Sequence, residues 1–459
     1  MMGAMSWTRY VGVGLLFAIS WSASTADEGW FWHVTDFHYD FSYSGLDLSC
    51  NDDVTNHGTY GNYWCDSPWS LVDVSVEAMK TFKPDVDFIL WTGDSVLHAG
   101  DEHLSVDIND GILSNITEKL VQEFGSTPIY ATYGNHDYFP SNQFPPNNNE
   151  LYNRTLENWL PWISGEEEKN NFLKGGYYTA VTTHGIRIVA LNTNLYFTSD
   201  KLTGSLHDPA DQFAWLETVL AAAVTNSEKV LVTGHVPPGV VDTMGKPWMY
   251  PQFNAKLNDI IRKYSDVIIG LHFGHEHIDN FRVYTKSGVP VATMFLAPSV
   301  TPWRYKIPGQ TGGAHNPAIR LIQYDRQTGQ HINIITYYMD LPASNTQGTP
   351  MWAEEYNATR DYAIDDLSSN SMNKLVERMS VSNSPEFANY WKWRVVSVQD
   401  EMLEGCDEAC KANTVCQFKH VDQSPYDACV SKAVSGSTYL LPSLMMVLIL
   451  ALSCLAAQK

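Results

Sequence analysis

The sequence predicts an α/β protein: a layered core with at least one large sheet, followed by a small helical subdomain closed by disulfides. Three observations carry that expectation. Between Trp30 and about Asp340, apolar runs of strand length alternate with segments of helical periodicity, the interleaving that builds sheets covered by helices. From Pro350 to about Cys429 the strand runs stop and helical stretches take over, with four of the seven cysteines. The chain has 459 residues, 44% apolar and 17% charged, so it can bury a sizeable core and is neither disordered nor fibrous.

Residues 31–35 read as the first strand. Residues 68–82 form an amphipathic helix, with Ser67 as its cap and Pro68 at the first position, where a missing N–H is tolerated. Strands follow at 87–92 and 128–133, then a hairpin of 177–182 with 186–191 around His184 and Gly185. A helix over 209–224 leads to strands at 229–233, 267–273, 291–296, 319–324 and 332–338. Helical stretches at 373–379 and 387–395 belong to the appendage.

Both ends carry targeting signals. Arg9 precedes the apolar run 11–19, and small residues 22–26 allow cleavage after Ala26, so residues 1–26 are expected to be a signal peptide; an uncleaved membrane anchor is the alternative. The uncharged run 440–457 follows Ser435, Gly436 and Ser437, the pattern of a GPI-anchor signal over 435–459, with a single transmembrane helix as its rival. Either reading puts the folded part in the secretory pathway: at the cell surface, secreted or lysosomal. The sequons at Asn115, Asn153 and Asn357 agree as glycosylation sites. Cys454 lies in the tail. The other six cysteines allow fifteen pairings, and the local ones are expected: Cys50 with Cys65, Cys406 with Cys410 one helical turn on, and Cys416 with Cys429. A zinc cluster of the last four is the alternative, less suited to an oxidising compartment. The expected division is thus 27–340 for the catalytic domain and 341–434 for the helical subdomain.

With 29 basic and 51 acidic residues the chain carries a formal −22, which argues against tracking a polymeric nucleic acid. A small phosphate-bearing substrate stays open, because bound metal ions can reverse the sign of one pocket.

One pattern dominates the chemistry. Five expected strands each end in metal-ligating residue types: Asp36 and His38; Gly93-Asp94; Gly134-Asn135-His136-Asp137; Gly234-His235; and Gly274-His275-Glu276-His277. Strand ends in α/β sheets open into loops over one edge, where such folds place their sites. Asp36 and His38 share a face if their strand continues through them, as do His275 and His277. Imidazole, carboxylate and amide oxygen suit zinc, iron or manganese. Six such groups and a bridging carboxylate exceed one tetrahedral ion but suit two ions ~3.5–4 Å apart, the arrangement used for in-line displacement at phosphorus. Taken singly, the first three motifs read as turns or loops and Gly274-His275-Glu276-His277 is a moderate metal signal; five in order, each closing a strand, are not ordinary turns.

This motif set resembles the calcineurin-like metallophosphoesterases. The stretches from Phe88 to Asp94, Leu191 to Tyr196, Gly234 to Gly239, Val300 to Trp303 and Asn316 to Arg320 resemble, more narrowly, the acid sphingomyelinase-like phosphodiesterases, the GPI-anchored branch being most similar. The resemblance implies a layered β-sandwich flanked by helices, and two zinc ions per chain. Asp36, His38, Asp94 and His277 would hold the first; Asp94 would bridge; Asn135, His235 and His275 would complete the second. It implies that His136 lies over the phosphate as charge stabiliser and acid, that Asp137 orients it, and that His98 assists the leaving group, although a loop histidine at 98 needs no such role. Glu276 departs from the usual pattern and is expected to point away from the metals. The implied activity is hydrolysis of small phosphodiesters (nucleotides, CDP-choline-like molecules or sphingomyelin) by a monomer tethered to the membrane through a lipid anchor. Its rivals are a phosphomonoesterase, whose tyrosine ligand is missing between Gly93 and His98, and a surface regulator that binds lipid or receptor.

Overall fold

The computed structural model describes residues 27–51, 54–241, 244–307, 310–311, 313–399 and 405–438. The expected leader 1–26 and the apolar run of the expected anchor signal lie outside the described residues. In chain order the elements are β1 (Glu28–Val34), α1 (Trp69–Phe82), β2 (Phe88–Trp91), α2 (Val106–Phe124), β3 (Ile129–Ala131), α3 (Glu150–Trp159), α4 (Glu166–Gly175), β4 (Tyr178–Val181) and β5 (Ile186–Ala190). Then come α5 (Gln212–Asn226), β6 (Lys229–Thr233), β7 (Val240–Val241), β8 (Lys246–Pro247), α6 (Pro251–Lys263), β9 (Ile268–Phe273), β10 (Asn280–Lys286), β11 (Val289–Leu296), β12 (Lys306–Ile307) and β13 (Gln310–Thr311). The chain closes with β14 (Ala318–Asp325), β15 (His331–Met339), α7 (Leu341–Gln347), β16 (Trp352–Asn357), α8 (Ala358–Asp361), α9 (Ser369–Met379), α10 (Pro385–Trp393), α11 (Glu408–Lys419) and α12 (Gln423–Thr438).

Two six-stranded sheets organise them. The first runs β16-β15-β14-β1-β2-β3, with β1, β2 and β3 parallel and the other three joined antiparallel. The second runs β10-β11-β9-β6-β5-β4, with a parallel centre of β11, β9, β6 and β5 and antiparallel edges. The all-apolar β2, Phe-Ile-Leu-Trp, is buried throughout, as a central parallel strand must be when both its faces are covered. The sheets face each other across one core: Phe31 of β1 packs edge-on against His272 of β9, and the Tyr178 hydroxyl donates to the Ala131 carbonyl at 3.0 Å. The layered α/β sandwich expected from sequence is the observed fold.

The inter-sheet core contains three buried histidines. The Nε2 atoms of His272 and His331 lie 2.8 Å apart, and His33 Nε2 meets Thr92 Oγ1 at 3.1 Å. Gly270 makes room for the pair, since a Cβ there would stand 2.6 Å from the His331 ring. Burial lowers the proton affinity of all three, His331 to about 4.

The three disulfides pair as expected, Cys50–Cys65, Cys406–Cys410 and Cys416–Cys429, so the last four cysteines are not a zinc cluster. The carboxy-terminal helices pack on the second sheet: Phe418 of α11 stacks on Phe281 of β10 at 4.5 Å, and Asn254 and Asn258 of α6 donate to the Val421 carbonyl. Among the described residues no helix is long and apolar enough to cross a membrane.

Several expectations change. Strand runs do not stop at Pro350, because β16 extends the first sheet along β15. Ser67 does not cap α1: its backbone is tied to the loop after β1, its N–H donating to His38 and its carbonyl accepting from Asp40. The helix expected over 209–224 begins at Gln212, because Ala210 and Asp211 adopt left-handed backbone and Asp208 receives the first amides, those of Phe213 and Ala214. Helices α2, α3, α4 and α6 and strand β10 add to the expected set. Of the three sequon asparagines, Asn115 and Asn153 are exposed, whereas Asn357 is half-buried and its side chain accepts the Arg360 amide as the cap of α8.

A buried neutral histidine has a stability signature. His331 binds a proton in the unfolded chain near pH 6.5 but in the fold only near 4, so its contribution is present above 6.5 and lost as pH falls. His331→Gln, which has no proton to gain, is therefore expected to be less stable than the parent at pH 7 by a margin that narrows by about 2 kcal/mol at pH 5. Urea unfolding at both pH values measures this; a constant margin would rule out the neutral core histidine.

Candidate metal centre

All five motif loops leave the same edge of the two sheets. β1, β2 and β3 of the first sheet lead into Asp36 and His38, Asp94, and Asn135 with His136; β6 and β9 of the second lead into His235 and into His275 and His277. The loops after β2 and β3 meet backbone to backbone. A Cβ on Gly93 would stand 2.1 Å from the Gly134 nitrogen, and one on Gly134 would stand 2.1 Å from the Asp94 nitrogen. Gly274 makes the equivalent approach between sheets, where a Cβ would lie 2.3 Å from Thr35 Oγ1. These glycines are a packing requirement.

The expected face-sharing of Asp36 with His38 is replaced by something sharper. β1 ends at Val34, β9 ends at Phe273, and Asp36, His38, Asp94, His275 and His277 all have positive φ, between 41° and 73°. Left-handed backbone at five non-glycine residues is uncommon and clusters at functional sites. It turns His38 back toward Asp36. It also sends His275 and His277 to different groups instead of one face.

Among the described residues the result is three overlapping donor groups: one is His38, His98 and His277, and the other two share Asp94. Asp36, His38, Asp94 and His277 form one, and Asp94, His235 and His275 the other, the ligand atoms of each lying within 4.8 Å of one another. His38 Nε2 stands 3.7 Å from Asp36 Oδ1 and 3.4 Å from Asp94 Oδ2; His277 Nε2 is 3.3 Å from Asp36 Oδ1. In the second group His235 Nε2 is 3.0 Å from Asp94 Oδ2 and 3.1 Å from the amide oxygen of Asn135. Neighbours aim these ligands. His38 and His235 each donate from Nδ1, to the Val96 and Thr92 carbonyls at 2.7 Å, leaving Nε2 for the centre. Thr35 Oγ1 donates to Asp36 Oδ2, the His136 amide to Asp94 Oδ1, and Asn142 accepts from the Asn135 amide. Asp36 Oδ1, His38 Nε2 and His275 Nε2 are buried without a hydrogen-bond partner among the described residues, and all three belong to the donor groups. Converging orphaned donors of this type fit divalent metal.

Electrostatics agrees. Burial alone would raise the Asp94 and Asp36 carboxyls, yet the surrounding imidazoles, chiefly His235 and His277, hold both well below the usual carboxylate range. Burial disfavours charge on His235 too, but Asp94 overrides it and raises that ring to about 9. The pocket demands positive charge beside its carboxylates, which a divalent cation satisfies better than protons.

His136 lies beside the donors without joining any group; its ring is 5.4 Å from that of His38 and 4.4 Å from that of His98, and its Nδ1 has no hydrogen-bond partner among the described residues. Asp137 does not orient it. The Asp137 carboxylate instead accepts the amides of Gly134, Asp94, Ser95 and Val96, because the crossing of two tight loops leaves those buried N–H groups to be satisfied. Glu276 points away from the centre, as expected, to pair with buried Arg282. The sequence reading missed Asp66, which bonds His98; Trp303, stacked on His98 at 3.8 Å; and Trp248 and Phe197, whose rings stand 4.6 and 5.1 Å from that of His275. The available signal was position alone: Asp66 adjoins Cys65, and Trp303 ends one of the quoted stretches.

Comparison with known proteins matches this geometry. The calcineurin-like phosphoesterase family model matches residues 29–279, and the acid sphingomyelin phosphodiesterase C-terminal region matches 289–435. Acid sphingomyelinase-like phosphodiesterase 3b of Homo sapiens is 40% identical over 447 residues, covering 95% of this chain and 97% of that protein. Cyclic GMP-AMP phosphodiesterase SMPDL3A of Homo sapiens is 36% identical over 422 residues, 90% of this chain and 92% of that one. Sphingomyelinase phosphodiesterase C of Dictyostelium discoideum is 32% identical over 422 residues, with 88% and 93% covered. With a divalent-metal donor set at the shared edge of its two sheets, the chain belongs to the calcineurin-like phosphoesterases and, within them, to the acid sphingomyelinase-like phosphodiesterases.

Proposed function

We propose that this phosphodiesterase is a binuclear zinc enzyme that hydrolyses small phosphodiesters outside the cell or in a lumen, tethered to the membrane by a C-terminal lipid anchor. The observation that carries the reading is the pair of donor groups joined through Asp94. Asp36, His38, Asp94 and His277 would hold one zinc ion, and Asp94, Asn135, His235 and His275 the other. Zinc, when bound, supplies charge neutralisation at the phosphate and a water acidic enough to serve as nucleophile near neutral pH.

The remaining work falls to side chains beside the ligands. His136 stands over the phosphate as charge stabiliser and proton donor, its free Nδ1 unclaimed by the protein. His98, 4.4 Å from it ring to ring, protonates the departing oxygen. Half-buried Trp303, stacked on His98, and half-buried Trp248, edge to face with His275, put aromatic rings beside the donor groups, which suits a nucleobase or a quaternary ammonium group. Nucleotides, CDP-choline-like molecules and phosphocholine lipids all carry such a group. The relatives named for cyclic GMP-AMP support the nucleotide class, and those named for sphingomyelin the lipid class.

Asp94→Ala or His235→Ala is expected to abolish hydrolysis and lower bound zinc; two zinc ions per chain with normal turnover in either would refute the ligand assignment. His136→Ala is expected to keep both ions and the fold while losing ~10²–10⁴-fold in rate; halved zinc content would make His136 a ligand. A lipid phosphodiester must be lifted from a bilayer to reach these buried ligands, whereas soluble esters face no such barrier. Purified protein without its tail should therefore cleave nucleotide or CDP-choline-like substrates far faster than liposomal sphingomyelin, and a chelator should stop both. Comparable kcat/KM on liposomal sphingomyelin would overturn the substrate preference. Phosphatidylinositol-specific phospholipase should release the cellular protein in active form; retention would favour a transmembrane tail.

A further inference from the structure

Two charged side chains are buried behind the donor loops and belong to none of the donor groups. Glu276 lies between the donors His275 and His277, and Arg282 lies on β10; their side chains are 4% and 0% exposed, and Arg282 Nη2 pairs with Glu276 Oε1. The other carboxylate oxygen, Oε2, accepts from Asn280 Nδ2 at 2.9 Å, and the same amide reaches Gln417 Oε1 of α11 at 3.3 Å. Gln417 is fully buried and follows Cys416 of the Cys416–Cys429 disulfide. On its far side Arg282 meets the segment after the donor His235. Its Nη2 reaches the Val240 carbonyl at 3.5 Å, and its stem packs on Gly239, where a Cβ would stand 3.0 Å from Arg282 Cδ. Pro237 and Pro238 stiffen the stretch that links His235 to Gly239. Stability does not explain the pair. Arg282 Nε and Nη1 have no hydrogen-bond partner among the described residues, and a buried ion pair with unsatisfied N–H groups is a weak stabiliser that well-packed apolar side chains often match or exceed. What it does provide is a fixed link between two donor loops.

We propose that Glu276 and Arg282 are positioning residues of the metal centre: their ion pair holds the His235 loop against the His275 loop and so sets the site of one ion in particular. The inference rests on the binuclear reading above. His235 and His275, two of the four ligands given there to the second ion, stand on the linked segments. Of the four given to the first ion only His277 does; Asp36, His38 and Asp94 come from loops of the other sheet. Loss of the pair therefore weakens the second ion and spares the first, whereas a pair that only stabilised the fold would release both ions together. The helical subdomain takes part, since Gln417 backs the amide that holds Glu276.

The test counts zinc per chain in the purified protein equilibrated with a series of zinc–chelator buffers. Glu276→Gln combined with Arg282→Met removes both charges at once, so that no buried charge is left unpaired. The parent is expected to hold two ions. The double variant is expected to hold one as firmly as the parent and to fill the other only at free zinc roughly 10–100-fold higher, the loss typical of groups that orient metal ligands. Its kcat should recover as that ion is refilled. In a His235→Ala background the two substitutions should remove no further zinc. Equal weakening of both ions, unchanged filling of both, or further zinc loss in the His235→Ala background would overturn the proposal. A parent that holds fewer than two zinc ions would instead overturn the binuclear reading, and this proposal with it. Should the double variant not fold, Arg282→Lys is read by the same titration. It keeps a charge beside Glu276 but cannot fork between that carboxylate and the Val240 carbonyl, so a filling curve identical to the parent's would overturn the proposal.

Discussion

The Asp137 carboxylate accepts amide N–H groups from the loop after β2 and the loop after β3 at once, and the positions of the metal donors follow from that clamp. Because those loops touch at Gly93 and Gly134, Asp94 and Asn135 are placed relative to each other by main chain, with no side chain between them to flex. Asp94 is the residue both donor groups need, and its Oδ1 is occupied by the His136 amide from the neighbouring loop, while its Oδ2 faces His38 and His235. One buried side chain outside the donor set thus fixes the shared donor and, through the backbone, the start of the His136 segment. Burial and the nearby Asp94 raise the Asp137 carboxyl to about 6, and four amide donors keep it serviceable as an acceptor there.

Left-handed backbone at Asp36, His38, Asp94, His275 and His277 carries a conformational cost of order 1–3 kcal/mol per residue. The sandwich sustains it. Each strained residue lies within a few positions of a strand buried in the sheet core, and the loops are pinned by bonds such as Asp36 N–H to the Gly93 carbonyl and His38 N–H to the Asp94 carbonyl. Strain of this kind fixes the directions of the candidate donors in advance, which is the condition for a donor set that need not reorganise on binding.

Much of this was legible in the sequence. The hairpin of β4 and β5, the strand Lys229–Thr233 and all seven residues of the two donor groups with Asn135 were readable, because strand-length apolar runs end directly in Asp, Asn or His. What escaped was set by tertiary contact. β16 has the polar composition Trp-Ala-Glu-Glu-Tyr-Asn and is a strand only because β15 offers it an edge. Asp137 sits in a metal motif whose family resemblance implied service to His136; the buried amides of the crossing loops took it instead. Asp66 carries no local signal beyond its place beside Cys65, since its partner His98 and its anchor Thr301 are remote in sequence.

The first sheet has a further consequence for how the protein is made. β1, which delivers Asp36 and His38, lies between β2 and β14, so that Trp30 pairs with Gln323 near the far end of the sandwich. A ribosome releases Trp30 long before Gln323. Until β14 emerges, one edge of β1 and the apolar faces beside it have no native partner, and the nascent chain must keep that edge from pairing with anything else. A fragment ending with the last donor loop would contain every candidate donor residue and still lack β14, the strand that pairs with β1 beneath them, so the sheet under the candidate centre is complete only once β14 is present.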